Sequence, residues 1–136
     1  MDKKTLPNEI MLEDAAALLC EGREVSFTPL GASMLPFIRG GRDTVTLRKL
    51  AEVNVGDIVL ARLAGKRYVM HRVIGRDGDN LTLMGDGNLR GVESCTVDDV
   101  LGTVVLIGSR KPGSGKIWRM LKPLRRIILG IYRRLI

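Results

Sequence analysis

The chain lacks most of the residues from which small proteins build cross-links and cofactor sites. Its 136 residues include only two cysteines and one histidine. Cys20 and Cys95 are isolated, with no second Cys or His at ligand spacing, so the pattern argues against a disulfide scaffold or a zinc site. Aromatic residues make up 4% of the sequence, while 45% is hydrophobic and 27% is charged. This composition is typical of one globular domain with an ordinary core, and we expect neither a metal nor a cofactor.

Long apolar runs are also missing. The N-terminal stretch up to Gly22 has no continuous hydrophobic segment, and it carries acids at Glu9, Glu13 and Asp14, where a signal peptide has none. No window reaches the ~18 apolar residues of a membrane-spanning helix. We therefore expect a cytoplasmic protein that is not secreted.

Acidic residues are absent from the last 27 positions, which contain nine Lys and Arg. Residues 1–109 hold 13 basic and 15 acidic residues, so the net charge of +7 comes from the tail. A basic tail on a nearly neutral body is not the footprint of a nucleic-acid-binding surface, and we expect no nucleic acid as partner. The charge pattern predicts a domain over residues 1–109, followed by a linker and basic tail over residues 110–136.

Hydrophobic periodicity predicts one short helix, at about residues 8–22, with Asn8 as its cap and Gly22 as its stop. The predicted apolar stripe of this helix is Leu12, Ala15, Ala16 and Leu19. From Glu24 onward the period changes to two, and turn residues separate short strands. The predicted strands are Val25–Thr28, Thr44–Leu47, Ile58–Leu63, Arg67–Ile74, Leu81–Met84 and Val100–Ile107. The pattern predicts a mainly β fold, a coiled antiparallel β-sheet or small barrel, with a basic amphipathic C-terminal helix.

Two residues could carry hydrolytic chemistry. Ser33 lies in a turn of small residues before Pro36, and such a turn can present a hydroxyl. His71, the only histidine, lies in a predicted strand, and a neutral imidazole can accept a serine proton. A carboxylate from Asp86 or Glu93 could then orient the ring. A turn-capping serine and a core histidine are the alternatives.

Four short motifs occur in an order that resembles the type I signal peptidase superfamily, which also includes the repressor-type autoproteases. They are the nucleophile motif Ser33–Pro36, the Gly-Asp-Ile-Val strand Gly56–Val59, the base motif His71–Gly75 and the Gly-Asp-Asn-like motif Met84–Asn88, followed by a closing strand at Val100–Val105. The resemblance covers roughly residues 25–107. It implies a serine endopeptidase on a signal-peptidase-like coiled sheet, acting on a peptide or protein precursor.

The resemblance also implies individual roles. Ser33 would be the nucleophile and His71 the general base, where most bacterial members have lysine, and activity should fail in acid because a protonated imidazole accepts no proton. Main-chain donors such as the Ser33 N–H would hold the oxyanion, since Gly31 stands where many members have a hydroxyl. Met34 and Pro36 would contribute to the oxyanion and substrate region.

Two carboxylates compete as the partner of the base. Asp86 is the first candidate, either to orient His71 or as structural support. Glu93 is the second, because Glu93-Ser94-Cys95 falls where the bacterial enzymes have Asp-Ser-Arg. An extended substrate is expected to add alongside a strand, with small side chains entering shallow pockets.

The chain departs from that family in its tail, where apolar and basic residues interleave. A basic amphipathic helix suits the anionic inner face of a membrane, where each Lys or Arg contributes about 1 kcal/mol. We expect a peripheral membrane contact, with packing on the body or on a partner as the alternative. The predicted contact residues are Trp118, Arg119, Arg125, Arg126, Arg133 and Arg134.

Two other functions remain open from the sequence. The chain could be a catalytically weak or inactive peptide-binding or partner module on the same fold, a reading that Gly31 favours. It could also be a repressor-like protease that cleaves itself at Ala64–Gly65. The absence of a helix-turn-helix before the predicted catalytic region disfavours the second function.

Overall fold

The structure is a computed structural model that describes residues 7–31, 33–88, 91–121 and 124–135. Its strands are β1 (Val25–Phe27), β2 (Val45–Arg48), β3 (Ile58–Leu63), β4 (Arg67–Asp77), β5 (Asn80–Met84), β6 (Glu93–Thr96) and β7 (Val100–Ile107). All neighbouring strands pair antiparallel, in the order β1-β2-β7-β3-β4-β5-β6. The sheet curls into a half-barrel, which confirms the predicted mainly β fold.

Helix α1 (Pro7–Cys20) covers one face of this sheet. All four residues of its predicted apolar stripe are buried, which confirms the helical period. The helix ends two residues before the predicted boundary. There the N–H groups of Gly22 and Arg23 donate to the carbonyls of Leu19 and Leu18, at 3.0 and 3.2 Å, and satisfy the last turn. The predicted cap was wrong, because Asn8 already lies within the helix; its side chain lies outside the described part of the chain.

Both faces of the sheet are apolar, and the side chains on each face form a separate apolar cluster. Met70 packs with α1 in one cluster, while Val69 and Val73 belong to the other. Because side chains alternate along a strand, His71 shares the face of Val69 and Val73, and Arg72 points to the face of Met70. Two adjacent residues of β4 therefore serve opposite sides of the sheet.

Two strands differ from the sequence prediction by more than one residue at an end. β4 continues to Asp77 rather than Ile74, because its pairing with β5 resumes after a register shift between Val73 and Gly75. β6 was not predicted at all. It is a four-residue edge strand in which only Cys95 is buried, so it carries too little alternation to be recognised.

The C-terminal segment packs on the sheet domain. It contains helix α2 (Lys116–Met120) and helix α3 (Arg125–Leu135). Trp118 and Leu129 are buried, and they form a third apolar cluster with Leu35. Within the described residues, no helix is long and apolar enough to cross a membrane.

Cys95 provides a test of β6. Burial raises the pKa of the Cys95 thiol to about 11, whereas Cys20 is exposed. Because the thiolate is the reactive form, iodoacetamide at mildly alkaline pH should alkylate Cys20 and spare Cys95 in the folded protein. Intact-mass spectrometry should find one adduct in buffer and two in concentrated guanidinium. Equal labelling of both cysteines in buffer would contradict the placement of β6.

Candidate functional site

The only histidine is held by a carboxylate from the edge strand β6. Nδ1 of His71 lies 2.7 Å from Oε1 of Glu93, and His71 is buried with 7% of its surface exposed. A carboxylate only accepts hydrogen bonds, so Nδ1 carries the proton and Nε2 of the neutral ring keeps its lone pair. Nε2 makes no hydrogen bond to any described residue. The ring is thus oriented as a general base requires.

Asp86, the first-choice partner of His71, binds Arg72 instead. Nε of Arg72 donates to Oδ1 and Oδ2 of Asp86 at 2.9 and 3.1 Å, and Nη2 donates to Oδ2 at 2.7 Å. Arg72 points to the opposite face of β4 from His71 and draws the carboxylate to that side. The orienting assignment of Asp86 was therefore wrong, while its alternative role as structural support agrees with this contact. Glu93, the second candidate, holds the ring.

Arg72 is fully buried and connects four segments of the chain. Besides Asp86, its Nη1 donates to the carbonyls of Gly56 and Gly113, each at 2.7 Å. Its guanidinium also stacks 4.9 Å from the ring centre of Phe37, in the turn that contains Ser33. Burial of this cation is stabilised because its donors face acceptors on several sides.

Helix α2 of the tail contacts two partners of Arg72, Asp86 and Phe37. Trp118 donates from Nε1 to the Asp86 carbonyl at 2.8 Å and meets Phe37 edge-to-face, with ring centres 6.4 Å apart. Trp118 and Arg125 are buried, with 6% and 4% exposure, so the predicted membrane contact is wrong for these two side chains in this structure. Arg126 and Arg134 are exposed. The side chains of Arg119 and Arg133 lie outside the described part of the chain.

Gly85 lies close to Ser33, one of the predicted catalytic residues. Arg72 pairs with Met84, the last residue of β5, and Gly85 follows directly after it. Glu93 shares the sheet face of His71, because Val73 pairs with Leu83 and Leu83 pairs with Glu93. A Cβ on Gly85 would collide with the carbonyl oxygen of Ser33. The main chain of Ser33 therefore lies against the start of the loop after β5, one residue beyond the partner of Arg72.

The turn after β1 presents Ser33 to solvent. Its carbonyl accepts a hydrogen bond from the Gly87 N–H at 2.7 Å, and the residue is exposed. Among the described residues, no hydrogen bond joins the Ser33 hydroxyl to the His71 ring. Met34 is buried and accepts a weak bond from the Asp86 N–H through its sulfur at 3.4 Å. The turn is thus fixed to the loop after β5 by main-chain and core contacts.

A small cavity opens beside this serine. Ser33 and Met34 line it from the turn, and Met70 lines it from β4. Pro36, predicted to contact substrate, is half-buried after a cis peptide bond and does not line the cavity. Of the two neighbours of Ser33 named as substrate contacts, only Met34 reaches the cavity.

The missing hydroxyl at position 31 has a backbone cause. Gly31 adopts a φ of +94°, a conformation that side chains disfavour, and a Cβ on Gly40 would collide with its main chain. The close approach of these two glycines shapes the turn before Ser33. Any oxyanion stabilisation at this site therefore relies on main-chain donors rather than on a side chain at position 31.

The sequence matches no protein-family model, and comparison with curated proteins finds no similar protein. In the part of the chain that the structure describes, no group of three or more His, Cys, Asp or Glu is arranged to hold a metal ion.

Arg72 is the residue of this site that the sequence pattern did not identify, although it lies within the motif His71–Gly75. The available signal was a charged side chain inside an alternating apolar strand, because such a group needs a buried counter-ion. Asp86 is that counter-ion.

Breaking the Arg72–Asp86 pair should destabilise the whole protein. Arg72→Met or Asp86→Asn leaves a buried group without its partner, and we expect each to lower the free energy of unfolding by about 3–5 kcal/mol in urea titrations. The double variant should lose less than the sum of the two single variants. Asp79→Asn is the control, because that carboxylate is 81% exposed and its ion pair contributes less than about 1 kcal/mol. A small effect at Arg72 would contradict its central role.

Gly85 offers a second test of the site geometry. Gly85→Ala should push the Ser33 turn away from the sheet, and overpacking of this kind costs about 1–3 kcal/mol in urea unfolding. Gly75→Ala is the matched control in the same sheet, since a Cβ there would meet Thr82 at an ordinary 3.7 Å. Equal stability of the two variants would argue against the close approach of Ser33 to Gly85.

Proposed function

We propose that the chain is a serine endopeptidase of the signal-peptidase-like class that cleaves a peptide or protein precursor. Ser33 is the nucleophile, His71 the general base and Glu93 the group that orients the base. The proposal rests on the 2.7 Å bond between His71 and Glu93, which leaves Nε2 without a partner among the described residues. The close approach of the Ser33 main chain to Gly85, in the loop after β5, supports it. The order of the four sequence motifs along the chain supports the same assignment.

The proposed reaction is an acyl transfer. The Ser33 hydroxyl attacks the substrate carbonyl carbon, and its proton passes to Nε2 of His71. Glu93 stabilises the resulting imidazolium through Nδ1. The imidazolium then protonates the leaving amine, and water hydrolyses the acyl-enzyme by the same proton transfers in reverse. Catalytic hydrogen bonds often shorten only when substrate binds, so a Ser33–His71 bond is expected in the complex.

The surroundings of Ser33 support a small substrate side chain next to the cleaved bond. The cavity beside Ser33 is small, with Leu12, Ile38 and Met70 among its lining residues, and Gly31 and Gly40 contribute main chain rather than side chains to its wall. Alanine or serine fits such a wall better than an aromatic or charged residue. We therefore expect cleavage after a small residue in an extended segment.

Cleavage of another chain is better supported than self-cleavage. Ala64–Gly65 lies in a single turn of 3₁₀ helix at the tip of the β3–β4 hairpin. His71 is four residues along β4 from Arg67, its first residue, a separation of ~13 Å, and the hairpin is paired without interruption from Ile58 to Leu63. Attack on Ala64–Gly65 within the same chain would require these pairs to open.

A peptide-binding module without catalysis is the second candidate. The absence of a Ser33–His71 hydrogen bond within the described residues favours it, as does Gly31 in place of a hydroxyl. The two functions differ in one measurable respect, because a binding module leaves the peptide intact.

Peptide cleavage tests the proposal. A library of extended peptides with small residues near the centre should be cut by the unmodified protein, as detected by mass spectrometry. Ser33→Ala and His71→Ala should abolish cutting. Glu93→Gln should slow it by on the order of 10²-fold or more with little change in stability, because the base loses its orienting charge.

Ser94→Ala is the matched control, since Ser94 is an exposed serine next to Glu93 on β6. It should cut at the unmodified rate. Peptide binding without any cutting by the folded protein would favour the module, and full activity in Ser33→Ala would remove Ser33 from the mechanism.

A further inference from the structure

Helix α3 has two faces with different surroundings. Its inner face buries Leu129 and Arg125 and half-buries Ile128 and Tyr132, which pack towards the Ser33 turn through Leu35 and Phe37 in the third apolar cluster. These inner positions recur at helical spacing, three or four residues apart. One side of α3 therefore packs against the body of the protein.

The outer face carries a stripe of large apolar residues in solvent. Leu124, Ile127 and Ile131 follow the three-and-four spacing of one helix face, with 50%, 62% and 55% exposure. We call these three residues the outer stripe. Exposed apolar residues clustered in this way mark an interaction surface rather than ordinary surface variation.

Positive charge borders the outer stripe. Arg126 and Arg134 are exposed on the outer half of α3, and Lys116 is exposed at the start of α2. The last 27 residues contain no acid to neutralise them. A second copy of this chain would bring the same cations against each other, whereas anionic lipid headgroups would neutralise them and accept the apolar stripe beneath.

We propose that the outer stripe docks on the surface of an anionic membrane while the inner face of α3 stays on the body. The contact is peripheral and uses the outer stripe with Arg126 and Arg134, in place of the buried Trp118 and Arg125. Docking in this way holds the Ser33 turn about one helix diameter, ~10 Å, from the lipid. If the proposed peptidase function holds, the substrate is a precursor that lies at or emerges from that surface.

Vesicle co-sedimentation tests the docking without reference to catalysis. The full chain should bind phosphatidylglycerol-containing vesicles and bind phosphatidylcholine vesicles much more weakly. Ile127→Ser/Ile131→Ser should lower the partition coefficient by on the order of 10-fold or more, because two apolar side chains no longer enter the lipid. Arg126→Gln/Arg134→Gln should lower it by on the order of 10-fold, and added salt should have the same effect.

Matched controls come from the body of the protein. Ile10→Ser/Val55→Ser removes two apolar residues of similar exposure, 47% and 48%, that lie outside the tail. Arg23→Gln/Arg42→Gln removes two exposed arginines outside the tail. Both control variants should bind like the unmodified protein, and urea unfolding should confirm that every variant is folded.

The single tryptophan reports on the geometry of docking. Trp118 is buried between the tail and the body of the protein. Brominated phospholipids in the vesicles should therefore leave its fluorescence nearly unquenched when the protein binds. Strong quenching would overturn the two-faced arrangement, because it would mean that the helix had left the body. Absence of vesicle binding would overturn the proposal, and so would equal loss in the control variants. Self-association that disappears in Ile127→Ser/Ile131→Ser, without vesicle binding, would assign the stripe to a second copy.

Discussion

The buried ion pair between Arg72 and Asp86 is the interaction on which the arrangement of the site depends. Burying a guanidinium costs much free energy unless acceptors surround it, and here carboxylate oxygens and two carbonyls do so. The acceptors come from segments distant in the sequence, so satisfying one side chain brings those segments together. The loop after β5 and the strand β4 are held in one geometry as a result.

The position of Arg72 next to His71 explains how the sheet supports a site. Alternation along β4 sends the cation into the tightly packed side and the imidazole to the opposite face. On one face the buried pair fixes the loop that contains Gly85 and Gly87. That same loop contacts the main chain of Ser33, and on the other face Glu93 orients the His71 ring. The structural residue Arg72 and the candidate base His71 are thus adjacent in the sequence but lie on opposite faces of the sheet.

The contacts around Arg72 and Asp86 also explain why the basic tail packs on the body of the protein. Trp118 fills the space beside Phe37 and satisfies the Asp86 carbonyl, and Gly113 accepts from Arg72. Helix α3, which follows these contacts in the chain, buries only one face against the body. Its outer face keeps its apolar and cationic residues in solvent, where the charge pattern of the tail complements an anionic surface.

Much of the fold could be predicted because it depends on local periodicity. Alternation identified six strands, and the spacing of the apolar stripe from Leu12 to Leu19 identified α1. β6 was missed because a four-residue edge strand with one buried side chain has almost no periodic signal. The candidate site was predicted in part, since Ser33 and His71 occur in recognisable motifs, whereas the ranking of the two carboxylates was reversed.

By itself, the sequence determined the fold class, the candidate nucleophile and base, and the concentration of positive charge in the tail. These features depend on residue type and on spacing along the chain. Only the tertiary structure decided that Glu93 holds His71 while Asp86 holds Arg72, because the choice depends on which sheet face each side chain reaches. It also decided that Trp118 faces the body while Ile127 faces solvent, because the inner and outer sides of a helix are defined only by what it packs against.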